Sequence, residues 1–327
     1  MSFKHIRDLV ASLPEIGDWP ELATVFDRAG AAPRPDWELP MLACQAAGGA
    51  RADALPVAAA IACLQLSIII VDDILDEDPR GAHVKYKVGP ASNMALAYEA
   101  LALRLIDASP LHPDQKLAIM ATLSRVGLQT AIGQHMDVQN LGGQSSYWKV
   151  VTAKSTPFYG GALKAGAVAG GASSTLVSQM YDLGLLFGEI VQIEDDLSDA
   201  LETPANADWK QGRNNLLILY AQTADHSQRS HFAKLLSRVD DPEVLAEAQQ
   251  ILLSSGAVAY SAYLLVIRYQ AAHRTLAAMD LADRPTMTDL LNSYAGSLLR
   301  LLNLAGVELS RENLLEPLPN NHRINPA

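Results

Sequence analysis

The stretch IIIVDDILDEDPRG, residues 68–81, decides how the chain is read. Three aspartates close an apolar run. On a helix, Asp72 and Asp76 stand at i and i+4 and share one face, with Asp73 beside them. The run before them, Leu55 to Val71, holds Gln65 and is shorter than the roughly 20 residues needed to span a bilayer. It predicts a buried helix rather than a transmembrane one.

A second stretch repeats the pattern 123 residues later: FGEIVQIEDDLSD, residues 187–199. Asp195 and Asp199 are i and i+4, Asp196 and Asp199 are i and i+3, and Gln192 and Glu189 lie one and two turns earlier on the Asp196 face. Like charges this close repel, and near a helix C-terminus the macrodipole adds to the repulsion. Divalent cations remove the conflict. Mg²⁺ takes carboxylate oxygens and completes its shell with water and substrate phosphates. Two such clusters predict a clamp for a diphosphate, and Leu64, Ile68 and Val191 on the same helices predict an apolar well beside it. One DDxxD alone would be an ordinary solvated helix end; two, each directly after an apolar run, are not.

Bulk properties agree. The chain has 327 residues, 49% of them hydrophobic, which is enough for a substantial core. Ala and Leu are abundant and aromatics few, so an all-α fold is expected. A net charge of −11 repels nucleic acid and excludes a backbone-binding role. Cys44 and Cys63 make no disulfide framework and read as buried thiols. The N-terminus lacks the apolar core of a signal peptide, and a cytoplasmic location is expected. The glycine-rich GGALKAGAVAGGA (160–172) lacks the spacing of a phosphate loop and reads as close helix packing.

Apolar periodicity predicts helices over 20–29, 38–49, 55–77, 89–108, 113–138, 145–170, 174–201, 213–223, 227–237, 242–280 and 286–305. No linker divides the chain, so a single domain over 1–327 is expected, with a fraying tail over 312–327.

Several further motifs fall in order around the aspartates: LACQAAGG (42–49), Arg80-Gly81, GQHMD (133–137), Lys154-Ser155-Thr156, VQIEDDLSD (191–199) and DWKQGRNNLLILY (208–220). Together they resemble the trans-isoprenyl diphosphate synthase (polyprenyl synthetase) family, from about residue 41 to about 223. The resemblance implies an all-α isoprenoid synthase bundle around a central cavity, a homodimer, three Mg²⁺ ions, and a prenyltransferase reaction that starts with ionisation of an allylic prenyl diphosphate. It places Asp72, Asp76 and Asp195 on metal, with Asp73, Asp196 and Asp199 completing the clusters. It places Lys154 and Arg213 on the allylic diphosphate and Gln134 among the substrate contacts. Arg80 and Gln65 fall on the second diphosphate, and Gln192 and the carbonyl near Lys154 face the forming carbocation. Metals and fixed cations stabilise the departing diphosphate, and an apolar well protects the cation from water.

One segment departs from the family. Where the family reads G-G-K-R-x-R-P, this chain has GAAPRPDWELPML (30–42), with Pro33 and Asp36 at the positions of two acceptor-binding cations. Loss of such cations weakens a doubly charged acceptor. Three enzymatic readings stay open: chain elongation onto isopentenyl diphosphate, transfer to another acceptor, and terpene cyclisation. A non-catalytic partner subunit is a fourth, and the six retained aspartates argue against it. A helical metal-binding or scaffolding protein is a fifth. Ser67 and Ile68 ahead of Asp72, with Leu64 and Ala60 below, set no aromatic across the well, which fits a farnesyl or longer chain.

Overall fold

In the computed structural model the described residues are 3–212, 214–304 and 310–316. Among them the chain is α-helical, with three short 3-10 turns and no strand. The helices are α1 (Phe3–Ala11), α2 (Pro14–Asp18), α3 (Pro20–Ala29), α4 (Leu39–Ala46), α5 (Leu55–Leu75), α6 (Ala82–Tyr86), α7 (Val88–Asp107), α8 (Pro113–Val138) and α9 (Gln144–Lys154). They continue as α10 (Thr156–Ala169), α11 (Ser174–Leu201), α12 (Ala207–Gln211), α13 (Leu216–Thr223), α14 (Arg229–Leu235), α15 (Pro242–Ser254), α16 (Ala257–Ala277), α17 (Arg284–Leu304) and α18 (Arg311–Leu315). The all-α expectation holds.

Two of the expected helices need correction. The helix expected over 145–170 breaks at Ser155, because Pro157 in the first turn of α10 cannot supply the N–H that a continuous helix would need. The helix expected over 242–280 breaks at Gly256, whose φ of +89° is open to glycine. Short helices α1, α2, α6, α12 and α18 were not anticipated; all but α1 are five residues long, too brief to show a periodic signal.

The chain forms two compact units: residues 1–134, 153–185 and 275–288 in one, and 135–152, 186–274 and 289–327 in the other. In the first, α5 packs along α7, and α4 lies on α10. Ile61, Leu64, Leu66 and Ile70 of α5 are buried, each contributing about 1.5–3 kcal/mol relative to exposure. By length and hydropathy α5 could cross a membrane, yet 67% of its most apolar window is buried within the protein. Gly166 is what lets α10 meet α4: a Cβ there would stand 2.1 Å from the Pro40 carbonyl oxygen. In the second unit α13, α14 and α15 pack together around Leu217, Phe232 and Leu252, and Trp209 leans on Phe232 with ring centroids 6.1 Å apart.

Candidate active site

The first aspartate cluster sits at the C-terminal end of α5. Asp72 and Asp73 are in its last turn, and Asp76 is the C-cap, its N–H bonded to the Asp72 carbonyl at 2.8 Å. The i, i+4 relation therefore survives the end of the helix. Beyond it the chain turns back: Glu77 has φ +53°, and the Asp78 N–H reaches the Asp73 carbonyl at 2.9 Å. Burial, and then the neighbouring Asp78 and Asp72 charges, push the Asp73 carboxyl up to about 6. A cation among these oxygens would reverse that pressure, so the donor set fits a hard divalent ion. Among the described residues no three His, Cys, Asp or Glu side chains close a cage by themselves. Mg²⁺ needs no such cage, because it keeps waters and takes phosphate oxygens.

Lys154, at the end of α9, meets this cluster, with its Nζ 2.8 Å from Asp72 Oδ1. Gly133 makes the approach possible. A Cβ at Gly133 would lie 2.3 Å from the Lys154 nitrogen and 2.6 Å from its Cα, so the GQHMD glycine is the notch in α8 into which the Lys154 backbone fits. The adjacent Gln134 is turned inward: it is buried, and its Nε2 donates to the Ile68 carbonyl at 3.3 Å. This bond braces α8 against α5.

Gln65, expected on the second diphosphate, is likewise bonded within the protein. Its amide oxygen accepts from Trp37 Nε1 and its amide nitrogen donates to Asp36, so both ends are engaged within the protein. The arginine after the cluster, Arg80, forks onto Asp78, with Nε at 3.1 Å and Nη2 at 2.8 Å.

On the neighbouring face of α5 lies a cavity of about 210 Å³ bordered by Asp73 and four cationic side chains, Arg28, Arg34, Arg80 and Lys85. Arg28 spends one N–H on the Arg80 carbonyl at 2.9 Å, and Arg34 spends Nε on the Ala29 carbonyl at 3.0 Å. Leu66, Ile69 and Ile70 supply an apolar wall. None of Arg28, Arg34 and Lys85 carries a motif of its own in the sequence. Residues this far apart are brought together only by packing.

The second cluster lies near the end of α11. Asp195 is exposed and Asp199 half-buried, whereas Asp196 is buried. The Asp196 carboxylate accepts from Gln192 Nε2 at 2.8 Å and from the Leu216 N–H at 2.9 Å. The Tyr147 hydroxyl is buried near the same carboxylate without closing a hydrogen bond of good geometry. Burial pushes the Asp196 carboxyl up to about 7, and these donors oppose the rise. Asp196, expected on metal with its neighbours, is thus the member of the cluster that is held inside the protein. One residue beyond Asp195 is about 100° around the helix, and that rotation points Asp196 into the protein. Gln192, expected to face a carbocation, spends its amide N–H on Asp196. Arg213 lies outside the described residues.

Farther back along α11, Arg268 Nε pairs with Glu189 Oε2 at 2.9 Å and its guanidinium lies 4.4 Å from the Trp148 ring centroid.

An all-α chain that closes α5 and α11 with carboxylates, with Asp72 paired to Lys154, presents donors of the class that hard divalent ions take. The particular family follows from comparison with known proteins: the polyprenyl synthetase family model matches residues 24–252, and the chain belongs to that family, a prenyltransferase of the polyprenyl diphosphate synthase type. It is similar to the short chain isoprenyl diphosphate synthase of Methanothermobacter thermautotrophicus, with 26% identity over 260 residues that cover 75% of this chain and 80% of that protein. It is 28% identical over 241 residues to the geranylfarnesyl diphosphate synthase of Aeropyrum pernix, covering 68% and 75% of the two chains. Among solved structures, the geranylgeranyl pyrophosphate synthetase of Pyrococcus horikoshii superposes with a TM-score of 0.80 at 19% identity, over 90% of this chain and 95% of that one. At that identity the likeness speaks for the fold. Catalysis in the family depends on Mg²⁺.

Proposed function

We propose that this protein ionises an allylic prenyl diphosphate and transfers the prenyl chain to isopentenyl diphosphate or another acceptor that carries phosphate. Asp72, Asp73 and Asp76 from α5 and Asp195 and Asp199 from α11 would hold Mg²⁺, three ions in all, and Mg²⁺ supplies charge neutralisation for the departing diphosphate. Lys154, steered by Gly133 onto Asp72, adds a fixed cation to the same group. The single observation that carries the choice of acceptor is the cavity bordered by Arg28, Arg34, Arg80 and Lys85. Arg80 is already forked onto Asp78, yet Arg28, Arg34 and Lys85 still outnumber Asp73 and call for an anion, and a cyclase has no second anion to place there. The chain has lost two of the family's cations at Pro33 and Asp36, and this set supports a replacement for them. The reading takes the whole chain as one catalytic domain, acting in the cytoplasm as a homodimer. Ser67 and Ile68, without an aromatic among them, support a farnesyl or longer product.

A product assay tests the reading. Labelled geranyl, farnesyl and geranylgeranyl diphosphates are each supplied with Mg²⁺, with and without isopentenyl diphosphate. A longer prenyl diphosphate formed only with acceptor present is the expected result, and the double variant Arg28→Ala/Lys85→Ala should raise KM for the acceptor about tenfold or more with kcat little changed. Release of diphosphate with hydrocarbon products, and no elongation at any acceptor concentration, would establish cyclisation instead.

A further inference from the structure

Asn206, Trp209 and Asn215 grip the end of α11 with neutral donors. Asn206 Nδ2 donates to the Asp199 carbonyl at 3.0 Å, Trp209 Nε1 to the Ala200 carbonyl at 3.2 Å, and Asn215 Nδ2 to the Asp196 carbonyl at 2.7 Å. The last turn of a helix leaves carbonyls without intrahelical donors and carries partial negative charge, which adds to the repulsion among Asp195, Asp196 and Asp199. At Asp199 and Ala200 the amide and indole N–H groups meet such carbonyls, and at Asp196, one turn earlier, Asn215 adds a further donor, in each case without bringing in a cation that would compete with a metal for the carboxylates.

Asn215 does more than the other two. The same amide nitrogen reaches the Asp208 carboxylate at 3.0 Å. Its oxygen caps α13, accepting from the Leu217 N–H at 3.0 Å and the Ile218 N–H at 3.4 Å. The next residue, Leu216, gives its N–H to the Asp196 carboxylate. Asn215 is 1% exposed, so these bonds are made out of water. The segment is tied on its other side as well: Asn140 Nδ2 donates to the Gly212 carbonyl at 2.9 Å and Asn214 Nδ2 to the Leu141 carbonyl at 3.1 Å.

We infer that Asn215 is a positioning residue for the second carboxylate cluster. It locks the last turns of α11 to the start of α13. Asp196 is thereby held inward, and Asp195 and Asp199 are presented outward at a fixed spacing for metal. The inference rests on the proposed reading of Asp195 and Asp199 as ligands. It adds the residue whose amide sets their geometry. Partners that orient a ligating carboxylate govern metal affinity even though they never touch the ion.

The test uses Asn215→Ser and Asn215→Asp. Both keep an oxygen able to cap α13, so the helix start survives, and both lose the amide donor to Asp208 and the Asp196 carbonyl. Leu252→Ala, a core change in α15 of the same unit, serves as a variant that is destabilised without touching the clamp. Mg²⁺ is titrated calorimetrically into each protein with inorganic diphosphate present, and thermal midpoints are recorded in parallel. Apparent Mg²⁺ affinity is expected to fall about tenfold or more in both Asn215 variants and to stay at the wild-type value in Leu252→Ala. Wild-type Mg²⁺ titrations from the folded Asn215 variants would overturn the positioning role, as would an equal loss in Leu252→Ala. Failure of the wild-type protein itself to take up Mg²⁺ with diphosphate would sink the ligand reading, and this inference with it.

Discussion

Gly133→Ala concentrates the geometry of the first cluster into one methyl group. The added Cβ would stand 2.3 Å from the Lys154 nitrogen, 2.5 Å from the Ala153 carbonyl carbon and 2.6 Å from the Lys154 Cα. All three are backbone atoms, so no side-chain rotation relieves the clash. Restoring ordinary van der Waals contact requires a separation of roughly 1 Å between α8 and the end of α9. Forcing extra volume into packed structure costs about 1–3 kcal/mol. Replacing a mid-helix glycine by alanine returns about 1 kcal/mol of helix propensity. The net loss of stability is therefore small, from near zero to about 2 kcal/mol. Function has no such offset. Lys154 Nζ sits 2.8 Å from Asp72, and moving its backbone by about 1 Å takes the ammonium out of register with the group it serves, a displacement worth about 100-fold in rate. The assay is single-turnover release of diphosphate from farnesyl diphosphate, with thermal unfolding alongside. Gly89→Ala is the control, since a Cβ at that position in α7 meets nothing within 4 Å; it should leave both readouts near wild type. A Gly133→Ala protein with wild-type turnover would refute the argument that this glycine places Lys154.

Two further predictions concern charge. Asp72→Ala and Asp195→Ala should each abolish turnover while leaving far-ultraviolet circular dichroism unchanged, because both side chains are at least partly exposed and neither carries the core; turnover at the wild-type rate in either would dismiss the proposed metal clamp. Asp283 is held below the usual carboxylate range, first by the Gln45 amide and then by Thr286, with Gln45 Nε2 at 2.7 Å. A folded carboxyl lowered below its unfolded value contributes stability above the unfolded value of about 4, and that contribution disappears as pH falls through the lower folded value. Asp283→Asn should therefore flatten the fall of the thermal midpoint below about pH 4; an unchanged acid profile would show that this carboxylate takes no part in it.

Much of the molecule was legible from local pattern. The bounds of α8 and α11 fall where periodicity sets them, because long amphipathic segments with strong helix formers decide their own state. The breaks at Ser155 and Gly256 escaped, since apolar spacing runs through both and only the backbone geometry of a proline and a left-handed glycine interrupts it. Asp72 and Lys154 were legible as motif members, expected on metal and on the allylic diphosphate; their pairing with each other, and the reason GQHMD carries a glycine, were not. That reason is a backbone contact so close that a Cβ at Gly133 would stand 2.3 Å from the Lys154 nitrogen, about twenty residues along the chain.

What the sequence alone determined is the chemistry: carboxylates at i and i+4 after apolar runs, twice, with a lysine and arginines in order along an all-α chain. Covalent order and helical period suffice for that. Which of two adjacent aspartates turns outward was decided only by tertiary structure. Asp195 and Asp196 are the same residue type one position apart; the second is claimed by the Leu216 N–H and Gln192, and burial follows from what α13 presents to α11. The cation-lined cavity is tertiary in the same sense. Arg28, Arg34, Arg80 and Lys85 come from separate segments, and no local signal tells a solvated arginine from one of four that face a common space.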